Sequence, residues 1–194
     1  MDDVRTAVQR LVDKDEINDV LLRYARGIDR LDIELFRTVF WEDGGFEDGI
    51  VEGPAKDFAP VLIGDAVRNM FTATQHFISN VRIEFEGPSV AHCESYFLAF
   101  HLLKGDEATL NTILGSRRVQ EMGGDYSRGY ELYVAGRYFD RFEKRGTAWR
   151  IYKRRFVSDW TSSGPESGLG RDGFAKLWKL WGSRDRADPS YVNR

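Results

Sequence analysis

Apolar residues at Val8, Leu11, Val12, Ile17, Val20, Leu21, Tyr24 and Ile28 recur at spacings of three and four, with charged residues between them. That period predicts an amphipathic helix across the N-terminal third. Asp15 and Glu16 suit the positive start of the stronger run, and Gly27 weakens it near its end. Asp32 to Phe40 predicts another turn or two of helix, with Leu35, Phe36 and Val39 on one side. Glu42-Asp43-Gly44-Gly45 breaks the pattern, the glycine pair reading as turn material, and Phe46 opens a short strand. Helical spacing returns from Pro60 to Thr72 through Val61, Ile63, Val67, Met70 and Phe71.

From His76 onward the period becomes two. Val81, Ile83 and Phe85 alternate with Arg82, Glu84 and Glu86, which predicts a strand with one polar side. Gly87-Pro88-Ser89 is a turn, and Val90 to Leu103 is a long strand. Tyr130 to Lys144 and Ala148 to Asp159 are two more, joined at Gly146 as a hairpin. The stretch 104–129 between strands is an insertion long enough to be functional or mobile. Beyond Trp160, Ser162-Ser163-Gly164-Pro165 reads as a loop. Phe174, Leu177, Trp178 and Trp181 then form a short helical stripe suited to docking on the body or on a neighbouring subunit. Helices followed by long antiparallel strands predict an α+β fold: a curved sheet with the N-terminal helices on its concave side. Residues 1–160 form the body and 161–194 a tail.

Composition narrows the class. The 194 residues are 42% hydrophobic, 30% charged and 13% aromatic, which excludes a disordered, collagen-like or membrane-spanning chain. The formal charge of −3 lacks the basic footprint of a nucleic-acid binder. A single cysteine, Cys93, rules out an intrachain disulfide and a cysteine-rich zinc site. No apolar leader follows Met1, so a cytoplasmic protein is expected. A membrane-surface role for the tail is disfavoured by its shortness and mixed charges.

Few polar residues sit where solvation alone would not explain them. Asp29 lies at the C-terminal end of the first helix, where a carboxylate opposes the dipole. It either pairs with Arg26 or Arg30 at the surface or orients a histidine. His76 has the side-chain type of a general base near neutral pH. Strand parity turns it away from the Val81 face unless a bulge near Ser79-Asn80 changes the phase. His101 shares its face with Cys93, Phe97, Ala99 and Leu103, as a core or rim histidine or as a polar group in an aromatic cavity. Arg154 shares a face with Tyr152 and Phe156 and looks misplaced unless paired; a buried guanidinium would clamp an anion. There is no Walker loop, dinucleotide fingerprint or nucleophile elbow. Two histidines plus Asp29 lack the spacing of an iron facial triad, so no metal is expected.

Three segments in order carry a resemblance. They are Arg23-Tyr24-Ala25-Arg26-Gly27-Ile28-Asp29 with Phe40-Trp41-Glu42-Asp43, then His76 to Phe85, then Gly136-Arg137-Tyr138-Phe139-Asp140 with Trp149-Arg150-Ile151. From about Val12 to Ser158 the chain resembles the SnoaL-like branch of the nuclear transport factor 2-like superfamily. It is most similar there to hexachlorocyclohexane dehydrochlorinase, scytalone dehydratase and the bile-acid 7α-dehydratases. The resemblance implies a cone-shaped α+β barrel, usually trimeric, with the pocket inside the cone. It also implies an aspartate–histidine dyad at Asp29 and His76, with Tyr24, His101 and Arg154 at positions occupied by assisting groups in one or another member. The dehydrochlorinase has a lysine where Tyr24 stands, which disfavours chloride elimination. Scytalone dehydratase has a tyrosine where Ile28 stands.

The implied activity is that of a cofactor-independent lyase. It would dehydrate, or cleave with release of formaldehyde, a small aromatic or polycyclic substrate held against Phe46, Phe97, Val134 and Tyr138. Isomerases and cyclases share the fold and the first proton abstraction. The non-catalytic small subunit of ring-hydroxylating dioxygenases, and a ligand-binding module without turnover, are the alternatives from another class.

Overall fold

The computed structural model describes residues 2–47, 52–168 and 173–192. The first helix, α1 (Asp2–Asp29), is followed by α2 (Ile33–Arg37), which is capped by the Asp32 carboxylate accepting from the Leu35 amide. The apolar burial of α1 lies in its second half, where Ile17, Val20, Leu21, Tyr24 and Ile28 face the sheet; in the first half Val4, Val8, Leu11 and Val12 remain exposed, and Asp13 is buried against Trp149 and Lys144. The apolar period therefore overstates how much of the helix packs.

Six strands form one sheet: β1 (Phe40–Phe46), β2 (Gly53–Pro54), β3 (Phe71–Glu86), β4 (Val90–Leu103), β5 (Tyr130–Arg145) and β6 (Ala148–Pro165). Their order is β2-β1-β6-β5-β4-β3, antiparallel throughout except where β1 runs parallel to β6. Curvature and the helices laid across the concave face give the mixed α+β cone that the sequence predicts. Among the described residues no helix is long and apolar enough to cross a membrane.

Several boundaries differ from the sequence pattern, each for a backbone reason. Gly44 and Gly45 lie inside β1 rather than in a turn, and Phe46 closes that strand instead of opening one. A Cβ at Gly44 would stand 2.7 Å from the Tyr152 carbonyl oxygen, so the pair permits close strand approach. The helical stretch ends at Met70 and starts earlier than expected: α3 (Ala55–Ala59) and α4 (Arg68–Met70) flank a π-helical stretch at Pro60–Val67. Phe71 and Thr72 already belong to β3. The expected loop 162–165 is the end of β6, because the first residues of β5 need a ladder partner and Tyr130 pairs with Pro165. The insertion holds two short helices, α5 (Glu107–Ile113) and α6 (Ser116–Glu121). The tail stripe is a single 3₁₀ turn, Gly173–Leu177, that leaves Phe174, Leu177, Trp178 and Leu180 exposed.

Two strand irregularities aim the site. The β3–β4 register shifts between Ser79 and Arg82, where Asn80 takes φ 48°. Ile83 and Phe85 consequently face inward on odd positions, while Thr74, His76 and Ile78 do so on even ones. Val81, expected on the apolar face, is exposed as a result. On β6 the register shifts opposite Arg141 and Phe142, so that Ile151 and Arg154 both point into the core.

Candidate active site

The last residue of α1 and the early part of β3 meet beneath the cone. The Asp29 carboxylate, 7% exposed, accepts three hydrogen bonds. His76 Nδ1 contacts Oδ1 at 2.7 Å, the Thr74 hydroxyl donates to the same oxygen at 3.0 Å, and the His76 amide donates to Oδ2 at 2.9 Å. Neither Arg26 nor Arg30 pairs with this carboxylate; Arg30 donates to the Asp29 backbone carbonyl at 3.4 Å, and Arg26 to Ser190. Three converging donors explain a carboxylate at the unfavourable end of a helix. With Nδ1 held by Asp29, the imidazole is fixed in one orientation and tautomer and its Nε2 is the ring's free base.

The ring borders a cavity of about 380 Å³ walled mostly by apolar side chains. Tyr24, Phe46, Phe97, Val134, Tyr138 and His101, all proposed from the sequence, line it. Phe97 stacks on Tyr138 with centroids 4.5 Å apart. His101 sits edge-on to His76 at 5.4 Å between centroids and packs on Phe71. Burial, reinforced by the neighbouring His76, pulls the His101 pKa down to about 4; the Leu132 carbonyl exerts a weaker opposing pull without closing a hydrogen bond to Nδ1. At neutral pH His101 is thus an uncharged ring, able to offer one N–H. Burial also pushes the Tyr24 and Tyr138 hydroxyls up, against the pull of Arg154, which keeps both protonated.

Arg154 is not part of the cavity wall. It is fully buried behind Tyr24 and Tyr138, its guanidinium carbon 4.1 Å from each ring centroid. Nε and Nη2 donate to the two Asp140 oxygens at 2.7 Å each. The arginine that looked misplaced on β6 therefore has its partner on β5, and the pair shores up the two tyrosines from behind.

Several lining residues escaped the sequence reading, among them Thr74, Thr112, Ile113 and the Leu62–Phe71 side of the cavity. Thr74 lies two residues before His76 and so shares its face; strand parity alone pointed to it. Thr112 and Ile113 of α5 bring the insertion into the cavity wall, a long-range placement with no local signal. Among the described residues no three His, Cys, Asp or Glu side chains converge as a metal site. A larger, open groove of about 640 Å³ on the outer face of the sheet is lined by Glu47, Arg82, Glu84, Arg141 and Lys153. Those charges are engaged in ion pairs: Arg82 with Glu84, Arg141 with Glu143, and Lys153 with Glu47.

The curved six-stranded sheet with its helices has the nuclear transport factor 2-like fold. Among solved structures, LinA-type3 hexachlorocyclohexane dehydrochlorinase from Novosphingobium barchaimii superposes with a TM-score of 0.64 at 18% identity, over 84% of this chain and 96% of that one. A scytalone dehydratase-like protein from Novosphingobium aromaticivorans gives 0.63 at 19%, over 86% and 99%. A nuclear transport factor 2-like protein from Salmonella enterica gives 0.56 at 17%, over 82% and 96%. Residues 9–155 match the SnoaL-like domain family, and the chain belongs to that family. No curated protein matches it in sequence.

Proposed function

We propose that the chain is a cofactor-independent lyase acting on a small aromatic substrate. The observation that carries this reading is the three-donor Asp29 carboxylate holding His76 at the edge of an apolar cavity. The His76 Nε2 lone pair takes a proton from a carbon beside an electron-withdrawing group, or from a hydroxyl in a retro-aldol cleavage. In the first case the electrons released form the new carbon–carbon double bond and expel hydroxide, which leaves as water on accepting a proton from the imidazolium or a tyrosine; in the second the alkoxide electrons form the C=O of formaldehyde, the carbon–carbon bond breaks, and the carbanion left behind takes the proton back from the imidazolium. Asp29 stabilises the imidazolium that results, and the Tyr24, Tyr138 and His101 hydrogens face the developing oxyanion or the leaving group. Arg154 contributes from behind the tyrosines rather than by touching the substrate. A 380 Å³ cavity lies at the small end of ligand sites, which favours one or two rings over a polycyclic skeleton.

The members of this fold that isomerise or cyclise begin with the same abstraction, so product mass separates the readings: loss of water or formaldehyde supports the lyase, an unchanged mass the isomerase. The outer face of the sheet supports a homo-oligomer, a trimer by analogy with the family. Phe77, Leu98 and Trp160 are exposed there in register across β3, β4 and β6. The decisive test is turnover of an aryl-substrate panel by wild type, His76→Ala and Asp29→Asn. A loss on the order of 10²–10⁴-fold is expected in the histidine variant. Near-native rates in both folded variants would remove the dyad from the mechanism.

A further inference from the structure

One wall of the cavity comes from a single segment. The π-helical stretch Pro60–Val67 and α4 supply Leu62, Ala66, Val67 and Met70, and Phe71 follows at the start of β3. Widened helical turns of this kind are uncommon and concentrate at functional sites. The wall is thin: Ile63 and Val67 are buried on its inner side, while Val61, Asp65, Arg68 and Asn69 are exposed on its outer side.

The end of this segment needs partners for its backbone. The helical run stops at Met70, so Val67 belongs to the last four residues, whose carbonyls have no acceptor role left inside the helix. Phe71 stands at an irregularity of the β3–β4 ladder, whose register shifts between Phe71 and Ala73. The Met70 carbonyl, between them, accepts from the Lys104 amide at 3.0 Å. The other two are answered from the far end of the chain. Arg184 Nη1 donates to the Phe71 carbonyl at 2.6 Å, and Nη2 to the Val67 carbonyl at 3.2 Å. One planar guanidinium therefore bridges the helix end and the strand start.

Arg184 is itself held in place. Residues 183–192 form a strap tied to the corner between α1 and α2. Arg30 donates to the Ser183 carbonyl at 3.3 Å, Arg186 pairs with Asp32 at 3.1 Å, and the Tyr191 hydroxyl donates to Asp32 at 2.8 Å. Asp188 closes the loop by accepting from the Ser183 amide at 2.8 Å. Asp32, the acceptor of two of these contacts, also caps α2 through the Leu35 amide. Corner, strap and cavity wall thus form one connected set of hydrogen bonds.

We propose that Arg184 is a positioning residue of the ligand cavity, delivered in cis by the C-terminal strap to clamp the Leu62–Phe71 wall and so to set how tightly the cavity holds an apolar ligand. The proposal rests on the reading of that cavity as the substrate site, and it extends the site to a part of the chain outside the SnoaL-like match at 9–155. Arg184 acts through the backbone of the wall and not by touching the ligand.

The test compares the full chain in wild type, Arg184→Met, Arg184→Gln and Arg184→Lys, with 2-naphthol as an uncharged two-ring probe. Hydrogen exchange read by mass spectrometry follows peptides across 60–71 and, as the reference, peptides from β4 and β5. Loss of two charge-assisted hydrogen bonds should speed exchange across 60–71 by on the order of tenfold in the Met and Gln variants, with β4 and β5 unmoved. In wild type, saturating 2-naphthol should slow exchange in the same peptides. The dissociation constant for 2-naphthol, read by its fluorescence, should rise about tenfold in the Met and Gln variants. Arg184→Lys should fall between them and wild type, because an ammonium keeps the charge but lacks the fork. Unchanged exchange at 60–71, or unchanged naphthol affinity, in the folded uncharged variants overturns the assignment. Wild-type exchange at 60–71 that 2-naphthol leaves unaltered overturns it too. Exchange that quickens equally throughout the sheet, or failure of both uncharged variants to fold, would make Arg184 a general structural tie and equally refute the proposal. Neither readout needs turnover, so active His76→Ala and Asp29→Asn enzymes would refute the lyase reading and leave the clamp standing.

Discussion

Arg154 separates a residue that touches substrate from one that holds the wall up, and the two roles predict different consequences. Arg154→Met removes a guanidinium that makes two 2.7 Å bonds to Asp140, both side chains being completely buried. Burial pushes the Asp140 carboxyl up, and Arg154 is the opposing influence. Without the arginine, Asp140 is left unpaired in the core and must take up a proton or draw in water. Truncating one partner of such a pair costs about 3–5 kcal/mol. At this chain length that corresponds to a fall in Tm of roughly 6–20 °C. The tyrosines lose their support as well, since the guanidinium packs against both rings. Replacing the pair together, in Arg154→Met with Asp140→Leu, removes the stranded charge and should recover most of the loss. Urea unfolding of the two single variants and the double variant at pH 7.5 measures the cycle. If Arg154→Met unfolds with near-native stability while turnover collapses, the arginine acts on substrate directly and the supporting role assigned to it is wrong.

Other consequences follow from burial and backbone crowding. The folded chain holds the His101 ring neutral down to about pH 4, whereas an unfolded histidine binds its proton near 6.5. That stabilisation is complete above 6.5 and disappears as pH falls through 4, amounting to about 3 kcal/mol; His101→Asn should flatten this part of the stability–pH curve, and coincident curves for the two proteins would refute it. Gly136 stands at a β5–β6 register shift, where a Cβ would lie 2.0 Å from the Val157 carbonyl oxygen and 3.0 Å from the Phe97 ring. Gly136→Ala should cost several kcal/mol by forcing the two strands apart, read as a lower denaturation midpoint, and an unchanged midpoint would show that the ladder can yield there.

Much of the site was legible because its chemistry was anomalous where it stood. Asp29 opposed a helix dipole and Arg154 occupied an aromatic face; both anomalies proved to be partnered groups, one by His76 and Thr74, the other by Asp140. His76 was ambiguous for a definable reason. Alternation puts it on the wrong face, and only the shift at Ser79–Arg82 corrects the phase. The assignment of Arg154 to the site itself was the weaker inference, since its place on an aromatic face of β6 does not say what lies in front of it. The tail departs further from the pattern: a helical stripe was expected at Phe174 to Trp181, but those side chains are largely exposed, and the tail meets the body through Ser183, Arg184, Arg186 and Tyr191.

Local order along the chain determined the helix-then-strand succession, the long strands Val90–Leu103 and Tyr130 onward, and the small set of polar residues out of place in their surroundings. Those properties depend on periodicity and near-neighbour chemistry, which a linear string carries. Tertiary structure decided which way each irregular strand turned, that β6 runs on to Pro165, that α5 walls the cavity, and that Arg184 reaches the Val67 and Phe71 carbonyls. Each of these depends on a register or a meeting of segments distant in the chain. The energy that selects them belongs to the packed pair and to neither segment alone.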